Sequence, residues 1–153
     1  MKKVFLCLIL SAIFTFAFSE DKHEKDVESL RQTELAFSKM CGEKGMSESF
    51  LFYADKDVIK PRDEQFPIIG KDSLIASFSR KPKETFKLEW YPVRVEVSKS
   101  ADMGYTFGNW ILTTQKGDKS YGNYCTFWKK QPDGSWKFVL DTGNSTPTPI
   151  NKQ

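Results

Sequence analysis

YGNYCTFWKKQPDGSWKFVLD, residues 121–141, alternates apolar and polar positions on both sides of QPDGS, a turn sequence. It reads as a β-hairpin. The run before it, MGYTFGNWILTTQ at 103–115, alternates in the same way and reaches the hairpin through a second turn, KGDK. Further upstream Phe86, Leu88 and Trp90 alternate with Lys87 and Glu89, whereas beyond Pro92 the apolar residues are Val93, Val95 and Val97. The inward parity has slipped by one, and a bulge at Tyr91-Pro92 would cause that slip and bend the strand. The C-terminal half is thus a run of long antiparallel strands.

The N-terminal half reads as helices. Val27, Leu30, Phe37, Met40 and Cys41 recur at helical spacing, with a polar interruption at Thr33 and Glu34, until Gly42 and Gly45 end the run. A short helix is expected over 47–54 with Ser47 as its N-cap. The segment DKDVIKPRDEQFPII, 55–69, is broken by Pro61 and Pro67 into short extended pieces, and KDSLIASF, 71–78, predicts a third helix with Leu74, Ile75 and Phe78 inward. Helices first and strands after predict an α+β domain, a curved antiparallel sheet wrapped over helices.

At 153 residues the chain has material for one domain. MKKVFLCLILSAIFTFAFS, 1–19, has the basic start, apolar run and small-x-small end of a secretory signal, and its apolar run is shorter than the ~20 residues of a spanning helix. The reading is then signal 1–19, charged lead 20–26, folded domain 27–143 and flexible polar tail 144–153, exported to the periplasm or medium of a bacterium. Removal of Lys2 and Lys3 lowers the formal charge from +3 to +1, from 23 minus 20 to 21 minus 20. A near-neutral domain has no electrostatic case for nucleic acid, nor for a membrane surface once the signal is gone. Cys41 and Cys125 remain, either bridged in a disulfide, which export permits, or serving as small core residues.

Much chemistry is excluded by composition. The single histidine, His23, lies in the charged lead, so there is no Ser-His-Asp set, no Cys-His pair within the domain and no histidine metal site. The acids of ADKDVIKPRDE lack calcium-loop spacing, and Gly42 and Gly45 follow a helix instead of opening one to cradle phosphate. No metal and no cofactor is expected. Carboxylate, tyrosine, tryptophan and amide groups remain, which suit a pocket for a small, partly apolar molecule.

ELAFSKM (34–40), FYADKDVIKP (52–61), PIIGKDSLIASF (67–78), GYTFGNW (104–110), YGNYCTFWKK (121–130) and PDGSWKFVLD (132–141), in that order, resemble the DUF4440 group of the SnoaL-like, NTF2-like superfamily over about 27–143. The resemblance implies a cystatin-like cone: three helices on a strongly bent antiparallel sheet around a cavity open at one end. Members include ketosteroid isomerase, scytalone dehydratase, limonene epoxide hydrolase and polyketide cyclases, and others only bind ligands or dimerise, so fold does not settle function. The isomerase base position corresponds here to Lys60, its oxyanion-donating tyrosine to Phe37, and its second acid to the strand holding Asn123 and Tyr124. With base and donor both missing, ketosteroid isomerisation is rejected. The dehydratase needs histidine, whereas Arg94 and Asp141 are available for a hydrolase-like Asp-Arg-Asp set.

Period two separates Thr106, Gly108 and Trp110 from Tyr105, Phe107 and Asn109, and Tyr124, Thr126 and Trp128 from Asn123, Cys125 and Phe127. With Trp90, the sets containing Thr106, Trp110, Tyr124, Thr126 and Trp128 are assigned to the pocket and the opposite sets to helix packing. Alternatively, the rings fill the cone. Trp136 is expected to cover the hairpin end, and Asp141 is either a buried acid or a turn acceptor beside Thr142-Gly143. Three functions follow: binding of a small hydrophobic or amphipathic molecule; a lyase, isomerase or hydrolase using Asp141 or Asp63 with Tyr105 or Tyr124; or a homodimer built on the exposed sheet face with a vestigial pocket.

Overall fold

Leu30, Glu34, Phe37 and Cys41 share one stripe of the first helix, and all four are buried. In the computed structural model, which describes residues 2–80 and 85–150 with side chains from residue 22 onward, this helix, α1, spans Lys2–Lys44. The expected signal, 1–19, lies outside the residues whose side chains are described. The charged lead 20–26 belongs to α1, and Asp26 within it is buried and accepts a hydrogen bond from Lys130 Nζ, so the inward stripe begins before Val27. Among the described residues no helix is long and apolar enough to cross a membrane.

The second helix, α2, spans Met46–Tyr53 and opens at Gly45, whose φ of 89° disfavours any side chain. Gly45, not Ser47, therefore holds the N-cap position, and Ser49 Oγ donates back to its carbonyl at 2.9 Å. The third helix, α3, spans Lys71–Ser79 and buries Leu74 and Phe78. Ile75, inward by its spacing in sequence, is 43% exposed, because it stands about 100° around the helix from Leu74, off the stripe that Leu74 and Phe78 define.

Six strands follow the helical stripe: β1 Ala54–Arg62, β2 Gln65–Ile69, β3 Phe86–Val97, β4 Met103–Thr114, β5 Lys119–Lys130 and β6 Trp136–Thr146. Their order in the one sheet is β2-β1-β6-β5-β4-β3, antiparallel throughout except where β1 runs parallel to β6. The β3–β4 register shifts between Pro92 and Arg94, next to the expected bulge, and Val95 and Val97 are buried beyond it. A second shift, where Val139 is skipped between the partners of Phe127 and Trp128, bends β6 against β5. These two irregularities curl the sheet around α1.

The expected end of the domain at 143 falls inside β6, which continues to Thr146 because β5 offers partners as far as Tyr121. Past it, Asn109 holds the backbone of Ile150 from both sides, accepting from its N–H at 2.9 Å and donating to its carbonyl at 3.0 Å. What reads in sequence as a loose tail thus starts as strand and is tied to β4.

The core occupies the concave side alone. Phe37 packs its ring 4.8 Å from Phe50, 4.7 Å from Trp90 and 5.6 Å from Phe138, joining α1 to α2, β3 and β6. Helix packing and pocket therefore use the same sheet face, and the assignment of Cys125 and Phe127 to a helix-packing side is overturned. They lie on the convex face, where Phe127 is 41% exposed and its ring sits 6.1 Å from that of Tyr105. Cys41, on the buried stripe of α1, and Cys125 are on opposite sides of the sheet and do not form a disulfide. Trp136, beside the hairpin end, is buried against α1, its Nε1 donating to Ser29 Oγ at 3.3 Å.

Candidate functional site

Between α1, α2 and the concave sheet lies a cavity of about 310 Å³. Phe37, Phe50, Leu88, Trp90, Trp110 and Leu112 supply its apolar walls. The two tryptophans that could have filled the cone do not. Trp110 lies against β5 over Gly122, its register partner, so closely that a Cβ on Gly122 would fall 2.1 Å from the indole Cε2. Its Nε1 donates to Asn123 O at 3.1 Å, which fixes the ring as wall.

Trp128 turns the other way, into the protein, and meets the least anticipated residue of the site. Glu34 is wholly buried and accepts from Trp90 Nε1 at 2.5 Å, Thr106 Oγ1 at 2.5 Å and Trp128 Nε1 at 3.1 Å. One carboxyl of α1 thereby gathers β3, β4 and β5. Burial pushes its pKa up to about 7 despite the three donors, and the charge of Asp141 adds to the rise.

Of the residues singled out from sequence, Trp90, Trp110, Tyr124, Thr126 and Asp141 line the cavity, with Asp63 exposed at its rim. Thr106 and Trp128 do not line it; they lie deeper, hydrogen-bonded to each other at 3.1 Å and to Glu34. Tyr105, on the convex face, cannot reach a ligand in the cone. Arg94 is exposed and bonds Glu96 at 3.1 Å, so it does not meet Asp141 and forms no Asp-Arg-Asp set with it.

Asp141 is not a turn acceptor, since β6 runs straight through it. Its Oδ1 accepts from Thr126 Oγ1 at 2.9 Å and its Oδ2 from Lys60 Nζ, which reaches across from β1. Lys60 also stands 4.8 Å from the centroid of the Phe50 ring. Both carboxylate oxygens are thus engaged, and the one lysine lining the cavity among the described residues is already paired.

Tyr124 is different. Its side chain is buried in the wall, and its hydroxyl, sealed from solvent, has only a loose hydrogen bond to Thr106 behind it. Desolvation first, then the negative charge of Glu34 and Asp141, drive its pKa upward, so the phenol keeps its proton. Among the described residues no cluster of acids, cysteines or histidines could hold a metal.

No protein-family model matches the chain, and no curated protein matches it. Solved structures do. An NTF2-like protein with a cystatin-like fold from Novosphingobium aromaticivorans superposes with a TM-score of 0.69 at 13% identity, covering 87% of this chain and 90% of that one. The fold is NTF2-like. A ketosteroid isomerase-like protein from Erwinia carotovora atroseptica matches the same cone with a TM-score of 0.65 at 15% identity, over 80% of this chain and 98% of that one. A Catenulispora acidiphila structure in complex with S-DNPA matches it at 0.58 and 10% identity, over 77% and 91%. At such identities the NTF2-like likeness carries the architecture and no activity.

The two residues that sequence reasoning passed over are Glu34 and the Lys60 partner of Asp141. Glu34 did leave a signal. It sits on the helical stripe between Leu30 and Phe37, where a charge has to be satisfied inside.

Proposed function

We propose that this NTF2-like domain, of the DUF4440 kind, is exported and binds one small, largely apolar molecule in its cone. The open cavity walled by Phe37, Phe50, Leu88, Trp90, Trp110 and Leu112 carries the reading, because its volume of about 310 Å³ lies at the lower end of known ligand sites. Binding is favoured over turnover by the state of the acids. Asp141 has both oxygens engaged by Lys60 and Thr126, and Glu34 is sealed behind Trp90 and Trp128. Export is supported by the signal-like character of 1–19.

Titration with N-phenylnaphthylamine, a neutral apolar fluorophore, tests the reading. Saturable one-to-one uptake is expected. Leu88→Trp, which places a larger ring in the wall, should weaken it at least about tenfold, or ~1.4 kcal/mol, while leaving the melting temperature near that of the parent. Equal uptake by both proteins would contradict the cavity as the site.

A second reading, homodimerisation, is favoured by one observation. Helices cover only the concave face, which leaves Tyr105, Phe127 and Met103 on the convex one, with Phe127 41% and Met103 36% exposed. Light scattering should give a dimer that Phe127→Lys converts to monomer; a monomeric parent at all concentrations would remove this reading.

A further inference from the structure

We infer that the cone selects apolar molecules carrying a positively charged nitrogen, a tertiary or quaternary ammonium group, held against the aromatic wall with Asp63 at the rim as its counter-ion. This deepens the binding function proposed above and rests on it.

Charge at the cavity is unbalanced. Asp63 and Asp141 line it against a single lysine, Lys60. Lys60 is spent on Asp141, so that pair contributes no net charge. Asp63 remains, exposed at the rim and without an ion-pair partner among the described residues. A ligand anion would meet this carboxylate with no uncommitted cation on the walls to offset it, whereas a ligand cation gains from it.

The walls suit a cation as well. Phe37, Phe50, Trp90 and Trp110 bring rings to the cavity, and a ring face attracts a cation within about 6 Å of its centroid. Trp110 is held for that role by its Nε1–Cε2–Cζ2 edge. A Cβ on Gly122 would fall 2.1 Å from Cε2 and 2.2 Å from Cζ2, one on Gly143 would fall 3.5 Å from Nε1, and Nε1 donates to Asn123 O. With that edge seated on the sheet, the faces of the indole stand clear of it. Trp90 gives its own N–H to Glu34 behind the wall, a hydrogen bond that polarises the indole and enriches its π system. The cavity already houses one ammonium in this manner, since Lys60 Nζ has the Asp141 carboxylate on one side and the Phe50 ring 4.8 Å away on another. A ligand differs from Lys60 in having to leave water. That cost is lowest for a nitrogen sheathed in alkyl groups, whose apolar body also meets Leu88 and Leu112.

Three probes of one shape separate the possibilities: benzyltrimethylammonium, its uncharged carbon isostere neopentylbenzene, and phenylacetate. Each competes with N-phenylnaphthylamine for the parent, for Asp63→Asn and for Asp63→Lys, substitutions of an exposed rim residue that should leave the melting temperature near that of the parent. Benzyltrimethylammonium is expected to displace the fluorophore from the parent at about tenfold lower concentration than neopentylbenzene, with phenylacetate the weakest competitor. Asp63→Asn should narrow the ammonium advantage about threefold and Asp63→Lys should narrow it further, while neopentylbenzene competes equally against all three proteins. An ammonium no better than its carbon isostere, phenylacetate as the strongest competitor, or an ammonium advantage untouched by Asp63→Lys overturns this inference and leaves the binding function standing. If N-phenylnaphthylamine is not taken up at all, the binding function fails and this inference with it.

Discussion

Replacing Glu34 with glutamine should abolish a loss of stability that the parent protein suffers as pH rises from about 4.5 to about 7. The carboxyl holds its proton more tightly in the folded chain than in the unfolded one. Across that window the native state therefore binds more protons, and linkage makes stability fall as pH increases. The contribution is fully present below the unfolded value of 4.5 and gone above the folded value of about 7. Each tenfold gain in proton affinity is worth about 1.4 kcal/mol, so the whole contribution comes to roughly 3 kcal/mol. Glutamine cannot titrate, so urea midpoints of Glu34→Gln should lack this slope. Parallel curves for the two proteins would show that Glu34 does not titrate in this range.

Removing the side chain is a harsher test of the same residue. Glu34→Ala leaves the indole N–H groups of Trp90 and Trp128 and the hydroxyl of Thr106 without their acceptor, inside a space nothing else fills. Cavity and unsatisfied donors together should cost roughly 3–5 kcal/mol, enough to unfold a domain of ordinary stability. A change under about 1 kcal/mol would mean that the three donors find water or each other.

The second large effect belongs to Gly122→Ala. A methyl there would stand 2.1 Å from the Asn144 carbonyl and 2.1 Å from the Trp110 ring, and the carbonyl is backbone held in the β5–β6 ladder. Neither neighbour can yield cheaply. Overpacking of this kind costs on the order of 1–3 kcal/mol, so a clear drop in urea midpoint is expected. Because the displaced indole is a cavity wall, N-phenylnaphthylamine binding should fall with it. Wild-type stability together with wild-type binding would show that Trp110 does not lie over Gly122.

Those two sites differ in how far sequence could foresee them. The Gly122–Trp110 pairing follows from alternation and turn position, since KGDK sets the register of β4 on β5 and the inward parity then puts a small residue opposite a large one. The helices-then-strands order likewise announces the curved sheet. Glu34 is different: its place on the helical stripe marks it as an inward acid, but its donors are 56, 72 and 94 residues away on three strands, so nothing local names its partners. The same holds for Lys60 and Asp141, 81 residues apart and joined only where β1 runs parallel to β6.

Parity failed in one respect for a physical reason. Both faces of β4 and β5 carry aromatic residues, so alternation separates the two sets without saying which one meets the helices. Phe127 and Cys125 look as suited to a core as Tyr124 and Thr126 do. Only the curl of the sheet, produced at Pro92/Arg94 and Phe127/Trp128, decides the matter. The curl also makes the concave side serve as both packing surface and pocket wall.

The binding function stands or falls with an occupied cone. A high-resolution crystal structure of the protein purified from its native compartment tests it most directly. Density for a bound molecule between Trp90 and Trp110 is expected. Indoles collapsed into the space, leaving no room for a ligand, would contradict it.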